Sequence, residues 1–187
     1  MTDTSALQSV LDKTAGIVAG VRADQLGDPT PCTEFTVERL RGHIVGWMQA
    51  FAAAASGEPS SAGPEDYAGT DPAADFRAAA AKAVAAFGEL PGDAPVSVMG
   101  GSTPAGVVVT MMTGEYLAHG WDLAAATDQR VPFDDEDATA AMALSSMLLP
   151  EYRGPGKPFG EIVPTAPDAT PLEKFLGFSG RDPRWRR

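Results

Sequence analysis

The apolar residues of the chain recur with a helical period in two segments near the N-terminus. One segment runs from Ser5 to about Asp24, and the other begins after Thr36 and continues to about Ser56. Apolar positions three or four residues apart mark one face of an amphipathic helix. The residues that carry this pattern are Leu7, Val10, Leu11, Ile17, Val18, Val21, Leu40, Ile44, Trp47, Met48 and Phe51. We therefore predict two helices, the second of them capped by Thr36.

Two pairs that end in proline predict the starts of two further helices. Asp71-Pro72 and Thr103-Pro104 each put a good capping residue before a proline, which favours the first helical position. We expect the first of these helices to end between residues 88 and 91, and the second near Asp128. The β-leaning residues 94–101 end in two glycines and predict a short strand or hairpin. Residues 57–70 predict an exposed loop.

The last third of the chain predicts one more helix and a C-terminal extension. The helix is expected over residues 134–149, followed by a Pro- and Gly-rich segment over 150–171 and a short apolar turn over 172–178. The tail, residues 180–187, carries four arginines and is expected to be solvated or docked on the surface. Four long amphipathic segments with hardly any strand signal indicate a single all-α domain over residues 1–187, a helical bundle with a short extra strand or hairpin.

The composition excludes several classes of function. The chain has 187 residues with 14 basic and 25 acidic side chains, a formal net charge of −11 and a pI near 4.5. Nucleic-acid binding needs a local excess of Lys and Arg, so we expect no nucleic-acid partner. No apolar run approaches the roughly 20 residues of a membrane helix, so we expect no membrane partner. A single cysteine and an N-terminus unlike a signal peptide lead us to expect a cytoplasmic protein.

The two histidines are the scarce residues on which a metal site would depend. Glu115 and His119 are four residues apart in the predicted fourth helix, so they share one face and one ion could bridge them. The same spacing is also that of an ordinary surface pair. His43 lies in the second helix, and taken alone it fits a core histidine bonded to a backbone carbonyl. Glycines near these residues, at positions 42, 46, 114 and 120, suggest that the two helices approach each other closely.

Three other residues near this cluster each have two interpretations. Asp122 could accept the ring N–H of a ligating histidine and set its tautomer, or form a salt bridge near the helix end with Arg130. Trp121 could line a pocket or belong to the core. Cys32 could be a fourth, soft ligand, but His43 lies about 10 Å further along the helix axis, so the chain would have to fold back. We therefore expect Cys32 to be a buried structural thiol.

Three segments together carry a resemblance to a known family. They are Pro-Cys-Thr-Glu-Phe-Thr-Val at 31–37, Gly-His-Ile-Val-Gly at 42–46, and Glu-Tyr-Leu-Ala-His-Gly-Trp-Asp-Leu-Ala at 115–124. They resemble the metal-binding N-terminal domain of mycothiol-dependent maleylpyruvate isomerase, a member of the DinB-like four-helix-bundle superfamily. Residues 169–172 and 180–183 resemble the single-domain actinobacterial members of that group. The resemblance implies a DinB-like four-helix bundle that covers nearly the whole chain.

The resemblance also implies a ligand set and a co-substrate. The family's metal ligands correspond here to His43, Glu115 and His119. Three mixed nitrogen and oxygen donors leave a coordination position open, which is typical of a catalytic zinc site. Zinc is the first choice, and nickel or iron also suits two imidazoles and a carboxylate. In the resembled isomerase the sulfur of mycothiol meets the metal, so a small-molecule thiol and an electrophilic substrate are the implied partners.

These observations leave three functional hypotheses. The first is a divalent-metal-binding bundle that is a thiol-dependent S-transferase or isomerase and acts through a thiolate held at the metal. The second is a non-catalytic metal-binding or regulatory bundle, and the third is a metal-dependent hydrolase. The resembled isomerase has a C-terminal domain for which this chain has no room, so we do not expect maleylpyruvate isomerase activity itself. A homodimer stays open, because related bundles are often dimers.

Overall fold

The helices and the hairpin follow the predicted order along the chain. The computed structural model describes residues 1–59, 65–98, 100–146, 153–154 and 159–187. Its elements are α1 (Ser5–Ala19), α2 (Val37–Ala55), α3 (Pro72–Glu89), β1 (Pro95–Val98), β2 (Gly101–Pro104), α4 (Ala105–Ala126), α5 (Asp135–Met142) and α6 (Pro171–Phe178). Short 3-10 helices span Ala23–Gln25 and Ala143–Ser146. The prediction of a helix-rich chain with one short hairpin is confirmed.

Some predicted segments extend beyond the described residues. The loop expected over 57–70 includes residues 60–64, and the helix expected over 134–149 continues into residues 147–149, which lie outside the description. Much of the Pro- and Gly-rich segment over 150–171 lies outside it as well. The short turn expected over 172–178 is instead the helix α6, because Thr170 and Glu173 form a reciprocal capping box at its start.

Two of the three predicted capping residues do cap a helix. The Thr36 side chain accepts a hydrogen bond from the Arg39 amide at the start of α2, and Asp71 caps α3 through the Ala74 amide. The prediction for Thr103-Pro104 is wrong. Thr103 pairs with Val96 in the antiparallel hairpin, so its backbone stays extended and α4 begins only at Ala105.

The first helix is shorter than the predicted segment that ended at Asp24. It ends at Ala19, and the Gly20 amide caps it by donating to the carbonyls of Gly16 and Ile17. The Gln129 side chain reaches this end and donates to the Ile17 carbonyl at 3.0 Å. A Cβ on Gly20 would lie 2.1 Å from Gln129 Oε1, so a larger residue at this position would displace the Gln129 side chain from the helix end.

The long helices pack so that α4 is enclosed. Helix α1 packs against α4 and α3, α2 packs against α3 and α4, and α5 covers another side of α4. Sixteen of the 22 residues of α4 are buried, and a helix that is buried nearly all round marks the centre of a domain. No helix among the described residues is both long and apolar enough to cross a membrane.

The glycines of α4 serve a different contact from the one expected. A Cβ on Gly114 would lie 2.6 Å from Leu144 Cδ2, and a Cβ on Gly120 would lie 2.7 Å from the Phe133 ring and 2.9 Å from Thr14 Oγ1. These glycines admit α1 and the segment 133–144, not α2. Gly42 has open space around it. The expectation that α2 and α4 approach each other through glycines is therefore wrong for Gly42, Gly114 and Gly120. The His43 and Glu115 side chains connect the two helices instead.

Candidate metal centre

Helices α2 and α4 bring the two histidines and one glutamate together. His43 extends from α2, and Glu115 and His119 extend from successive turns of α4. Glu115 Oε1 lies 3.2 Å from His43 Nε2 and 3.3 Å from His119 Nε2. One donor atom from each of the three residues lies within 4.8 Å of the others. The structure therefore places these three predicted residues in a single cluster.

The outer nitrogens of both rings are held by carboxylates. His119 Nδ1 lies 3.0 Å from Asp122 Oδ2, and His43 Nδ1 lies 2.9 Å from Glu65 Oε1. A carboxylate can only accept, so Nδ1 carries a proton in both rings and a neutral ring has its lone pair on Nε2. Both Nε2 atoms face Glu115 Oε1. Three acceptors that converge in this way require a cation between them, either added protons or a metal ion.

The donor spacing fits a tetrahedral ion. Two donors each about 2.0–2.1 Å from a zinc ion at a tetrahedral angle are roughly 3.3 Å apart. The two distances that involve Glu115 Oε1 are 3.2 and 3.3 Å. The Glu115 side chain is 31% exposed, so the cluster is open to small molecules on one side. The residues present fit a divalent metal ion that keeps an open coordination position.

The charges of the cluster shift its pKa values in opposite directions. Burial alone would lower the pKa of His119, but the carboxylates of Glu115 and Asp122 outweigh burial and raise it to about 9. Burial would raise the pKa of Glu115, yet the two imidazoles hold it well below its ordinary value. In the absence of a metal, the cluster therefore attracts a proton to His119, which is the behaviour of a site built for a cation.

Asp122 forms both contacts that the sequence suggested, but with a different arginine. Its side chain is fully buried and contacts the His119 ring and the guanidinium of Arg181, whose Nη2 lies 2.9 Å from Asp122 Oδ2. Burial would raise the pKa of Asp122, whereas Arg181 and His119 together lower it. The salt bridge proposed with Arg130 is wrong, because the C-terminal segment brings Arg181 to this position instead.

The expectation of a solvated or surface-docked tail is correct for its end and wrong for Arg181. Arg187 pairs with Asp28 and Asp128 at the surface, and Arg184 pairs with the neighbouring Asp182. The Arg181 side chain is only 10% exposed. The apolar residues of α6 and its capping box are the sequence signals of an ordered C-terminal segment, but they do not indicate where that segment packs.

The placement of Cys32 corrects the expectation that it lies away from the cluster. The Phe35 amide donates to the Cys32 carbonyl, and Pro29 and Thr36 form an antiparallel bridge, so the loop before α2 folds back. The thiol of Cys32 lies within 4.8 Å of donor atoms of His119 and Asp122. Cys32 is half-buried, and burial raises its pKa to about 11, so it is a neutral thiol.

Of the two interpretations of Trp121, the structure confirms the core and not the pocket, and other aromatic rings lie next to the histidines. Trp121 is 5% exposed and belongs to the hydrophobic core. The Phe35 ring centroid instead lies 4.9 Å from that of His43, and the Trp47 ring lies 6.3 Å from it. Trp47 Nε1 also donates to Glu65 Oε1 at 3.0 Å. Phe35 and Trp47 therefore form the apolar wall of the centre, and Trp47 steadies the carboxylate that holds His43.

A cavity of about 580 Å³ lies between α2 and α3, and none of the residues that line it belongs to the cluster of His43, Glu115 and His119. Gly46, three residues after His43, and Asp66, next to Glu65, belong to its lining. The other polar side chains that line it are those of Gln49, Glu58, Tyr67, Asp75 and Lys82. The Tyr67 hydroxyl donates to Asp75 at 2.6 Å. The cavity is therefore polar, and it carries charges of both signs.

A helix-rich domain with two histidines and a glutamate gathered on two helices is a candidate metal-binding domain, and comparison with known proteins identifies its family. Residues 7–124 match the mycothiol maleylpyruvate isomerase N-terminal domain. The chain belongs to this family. The match includes the whole His43, Glu115 and His119 cluster together with Asp122, and it ends before Arg181.

Two relatives from Mycobacterium tuberculosis cover the chain almost from end to end. They are an uncharacterized protein of strain ATCC 25618 / H37Rv and an uncharacterized protein of strain CDC 1551 / Oshkosh. Each is 38% identical over 182 residues, which is 96% of this chain and 97% of the relative. No solved structure matches the chain at a significant level.

Proposed function

We propose that this protein binds one divalent metal ion, zinc as the first choice, between His43, Glu115 and His119, and that it has the DinB-like four-helix-bundle fold of its family. We propose further that it uses mycothiol or a similar low-molecular-weight thiol as an S-transferase or isomerase. The observation that carries the proposal is the convergence of two Nε2 lone pairs and one carboxylate oxygen. Membership of the mycothiol maleylpyruvate isomerase N-terminal domain family supports the thiol.

A zinc ion held here would supply the positive charge that stabilises a thiolate over a thiol at neutral pH. The chain's own residues prepare the position for it. Asp122 accepts the Nδ1 proton of His119, and Glu65 accepts that of His43, so both rings present Nε2 inward. The exposed part of Glu115 marks the side on which a small thiol can enter. Phe35 and Trp47 reduce the access of water from the α2 side.

The cavity between α2 and α3 suits a polar co-substrate. A volume of about 580 Å³ accommodates a small molecule. Its lining of acids, an amide, a phenol and Lys82 offers hydrogen bonds to a thiol that carries hydroxyl groups. The electrophilic substrate would approach on the open side of the same centre. This arrangement supports attack of the thiol sulfur on an electrophilic carbon, in which the new C–S bond replaces the bond to a leaving group that departs with its electron pair. It equally supports addition of the sulfur to an activated C=C bond, rotation about the resulting single bond, and elimination of the same thiol to give the isomer.

The first experiment measures the metal content of the full chain purified without chelator. We expect about one equivalent of metal in the unmodified protein and a near-complete loss in His43→Ala, because two donors hold an ion far more weakly than three. Gln49→Ala, an exposed change two turns further along α2, is the matched control and should retain the metal. A metal-free unmodified protein, or a His43→Ala variant that keeps its full metal content, would refute the metal site.

The second experiment separates the thiol-dependent enzyme from the two other hypotheses. Mycothiol added to the Co²⁺-substituted protein should change its visible spectrum and raise its melting temperature, since a ligand that binds only the folded state stabilises it. An unchanged spectrum and melting temperature would refute the thiol. Hydrolysis of esters or amides without added thiol would favour a metal-dependent hydrolase. Metal binding without any turnover of electrophiles would favour a non-catalytic bundle.

A further inference from the structure

The His119 ring borders two different groups of metal-binding side chains. Its Nε2 lies 3.3 Å from Glu115 Oε1, and its Nδ1 lies 3.0 Å from Asp122 Oδ2. Donor atoms of Cys32, His119 and Asp122 lie within 4.8 Å of one another. Thiolate, imidazole and carboxylate together are a competent ligand set for zinc, cobalt and other divalent transition metals. We call these three residues the inner set, and His43, Glu115 and His119 the outer set.

The two sets require opposite forms of the same ring. Ligation in the outer set needs a free lone pair on Nε2, which leaves the proton on Nδ1, where Asp122 accepts it at 3.0 Å. Ligation in the inner set needs a free lone pair on Nδ1. A neutral imidazole carries one proton and offers one lone pair, so His119 can serve only one set at a time. The surroundings of His119 therefore determine which of its two nitrogens has the free lone pair.

Arg181 contacts two of the three residues of the inner set, Asp122 and His119. Its Nη2 is 2.9 Å from Asp122 Oδ2 and 3.4 Å from His119 Nδ1, and its Nε is 3.3 Å from both carboxylate oxygens of Asp122. The guanidinium is permanently charged and cannot ligate a metal. Asp122 is fully buried, and a buried carboxylate needs a cation beside it. Arg181 supplies that cation. Because its guanidinium lies against Asp122 and neutralises it, a metal ion would have to displace Arg181 to bind there.

The backbone holds this arginine firmly. The Arg181 amide donates to the Leu176 carbonyl at 2.9 Å, and its Nη1 donates to the Ser179 carbonyl at 2.8 Å. The preceding Gly180 has a φ of +87°, and a Cβ there would lie 2.9 Å from the Cα of Gly160. Only glycine fits here, because the backbone segments around Gly160 and Gly180 pass so close to each other. The side chain therefore enters the site from a fixed anchor rather than from a free tail.

We propose that Arg181 is a resident cation that keeps metal ions out of the inner set of Cys32, His119 and Asp122, and so reserves Nε2 of His119 for the outer set. It is a positioning residue, since it acts through Asp122. The part of this inference that concerns the outer set rests on the proposed function. The exclusion of metal from the inner set stands on the contacts of Arg181 and is tested separately.

The test is the absorption spectrum of the full chain after removal of metal with a chelator and reconstitution with Co²⁺. The reductant is a phosphine, so that Cys32 is the only thiol in the sample. We expect no thiolate-to-cobalt charge-transfer band from the unmodified protein. Arg181→Gln removes the charge at similar length, and we expect the near-ultraviolet charge-transfer band to develop, because Asp122 then needs another cation. Arg181→Lys keeps the charge and should show no band, and Arg181→Gln combined with Cys32→Ser should lose it.

Two results would overturn the proposal. One is a thiolate band in the unmodified protein, which would mean that Arg181 does not exclude the ion. The other is the absence of the band from a folded, cobalt-loaded Arg181→Gln protein. The first result needs no variant, so the proposal can be refuted even if Arg181→Gln fails to fold. If His43→Ala keeps all its metal while Arg181→Gln develops the band, the proposed function fails and the exclusion by Arg181 survives.

Discussion

The two histidines of the centre have the same task and very different supports. His119 lies on the enclosed helix α4, and its Nδ1 partner Asp122 is fully buried, one turn along the same helix, and paired with Arg181. His43 lies on α2, and its Nδ1 partner Glu65 is 54% exposed and lies in the segment between α2 and α3. The α4 side is therefore a rigid, charge-balanced half of the centre. On the α2 side, the carboxylate of Glu65 is exposed, so solvent and salt screen its charge and water can replace it as the partner of His43.

This difference predicts that the support on the α4 side contributes most to metal affinity. Asp122→Asn should lower metal affinity by about 100-fold, the upper end of the range for a hydrogen-bond partner of a ligating histidine. It should also destabilise the fold by about 3–5 kcal/mol, because Arg181 is left buried without its carboxylate. Metal competition titration and chemical denaturation measure the two effects. Asp128→Asn, at an exposed position just after the end of the same helix, is the control and should change the metal affinity and the stability only slightly.

The metal-free protein should lose stability as the pH rises. The pKa of His119 is raised from an ordinary 6.5 to about 9, so the folded state favours its protonated ring. The stabilisation is fully present below pH 6.5 and is lost as the pH rises through about 9. The melting temperature of the metal-free protein should therefore fall across this window. His119→Gln should flatten the fall, and a full complement of metal should remove it, because the metal then replaces the proton. If the melting temperature of His119→Gln falls as steeply with pH as that of the unmodified protein, the pH dependence belongs to another titratable group.

Loss of the support on the α2 side should have a smaller effect. Glu65→Gln keeps an acceptor for the His43 Nδ1 proton and removes an exposed charge, so we expect metal affinity to fall by less than tenfold, the lower bound of the usual range. The loss should shrink further at high salt, since exposed charges are screened. Glu89→Gln, at the exposed end of α3, serves as the control. A loss as large as that of Asp122→Asn would contradict the contrast between the two halves.

Substitutions in the lining of the cavity between α2 and α3 should affect metal binding least. Ala78→Trp puts a large ring on an exposed position that lines the cavity, and it should weaken mycothiol binding while the metal content stays unchanged. Ala81→Trp, on the exposed side of the same helix but outside the lining, is its matched control. Calorimetric titration with the thiol compares them. Equal thiol affinity in the two variants would remove the cavity from the proposed function.

The predictions from the sequence succeeded where the signal is local. The α2 helix begins where Thr36 caps it, and α3 begins after Asp71 and Pro72, because these residues satisfy the first amides of the helix that follows them. Glu115 and His119 share a face because they are one helical turn apart. Thr103-Pro104 carried the same local signal and failed. There a hairpin partner 7 residues away, Val96, kept Thr103 extended.

The sequence could not predict the contacts that join distant segments. Arg181 reaches Asp122 across 59 positions, and Gln129 reaches the end of α1 across 112. The residues next to Arg181 and Gln129 in the sequence do not predict which distant residue each of them contacts. The distance along the α2 axis alone predicts that Cys32 lies away from the cluster. The bridge between Pro29 and Thr36 turns the chain back, and that loop geometry brings the thiol to His119.

Local signals in the sequence were enough for the helix-rich class of fold and for the shared face of Glu115 and His119, because periodicity, capping and i, i+4 spacing act within a few residues. His43 joined these two residues as a candidate ligand only through the resemblance to a known family. Only the tertiary structure decided how the histidines are held and which nitrogen of each ring faces inward. Those choices depend on Glu65, Asp122 and Arg181, which meet the rings only when separate helices and the C-terminal segment pack around α4. Burial then makes each of these charges depend on its neighbour, so the site is a property of the packed fold.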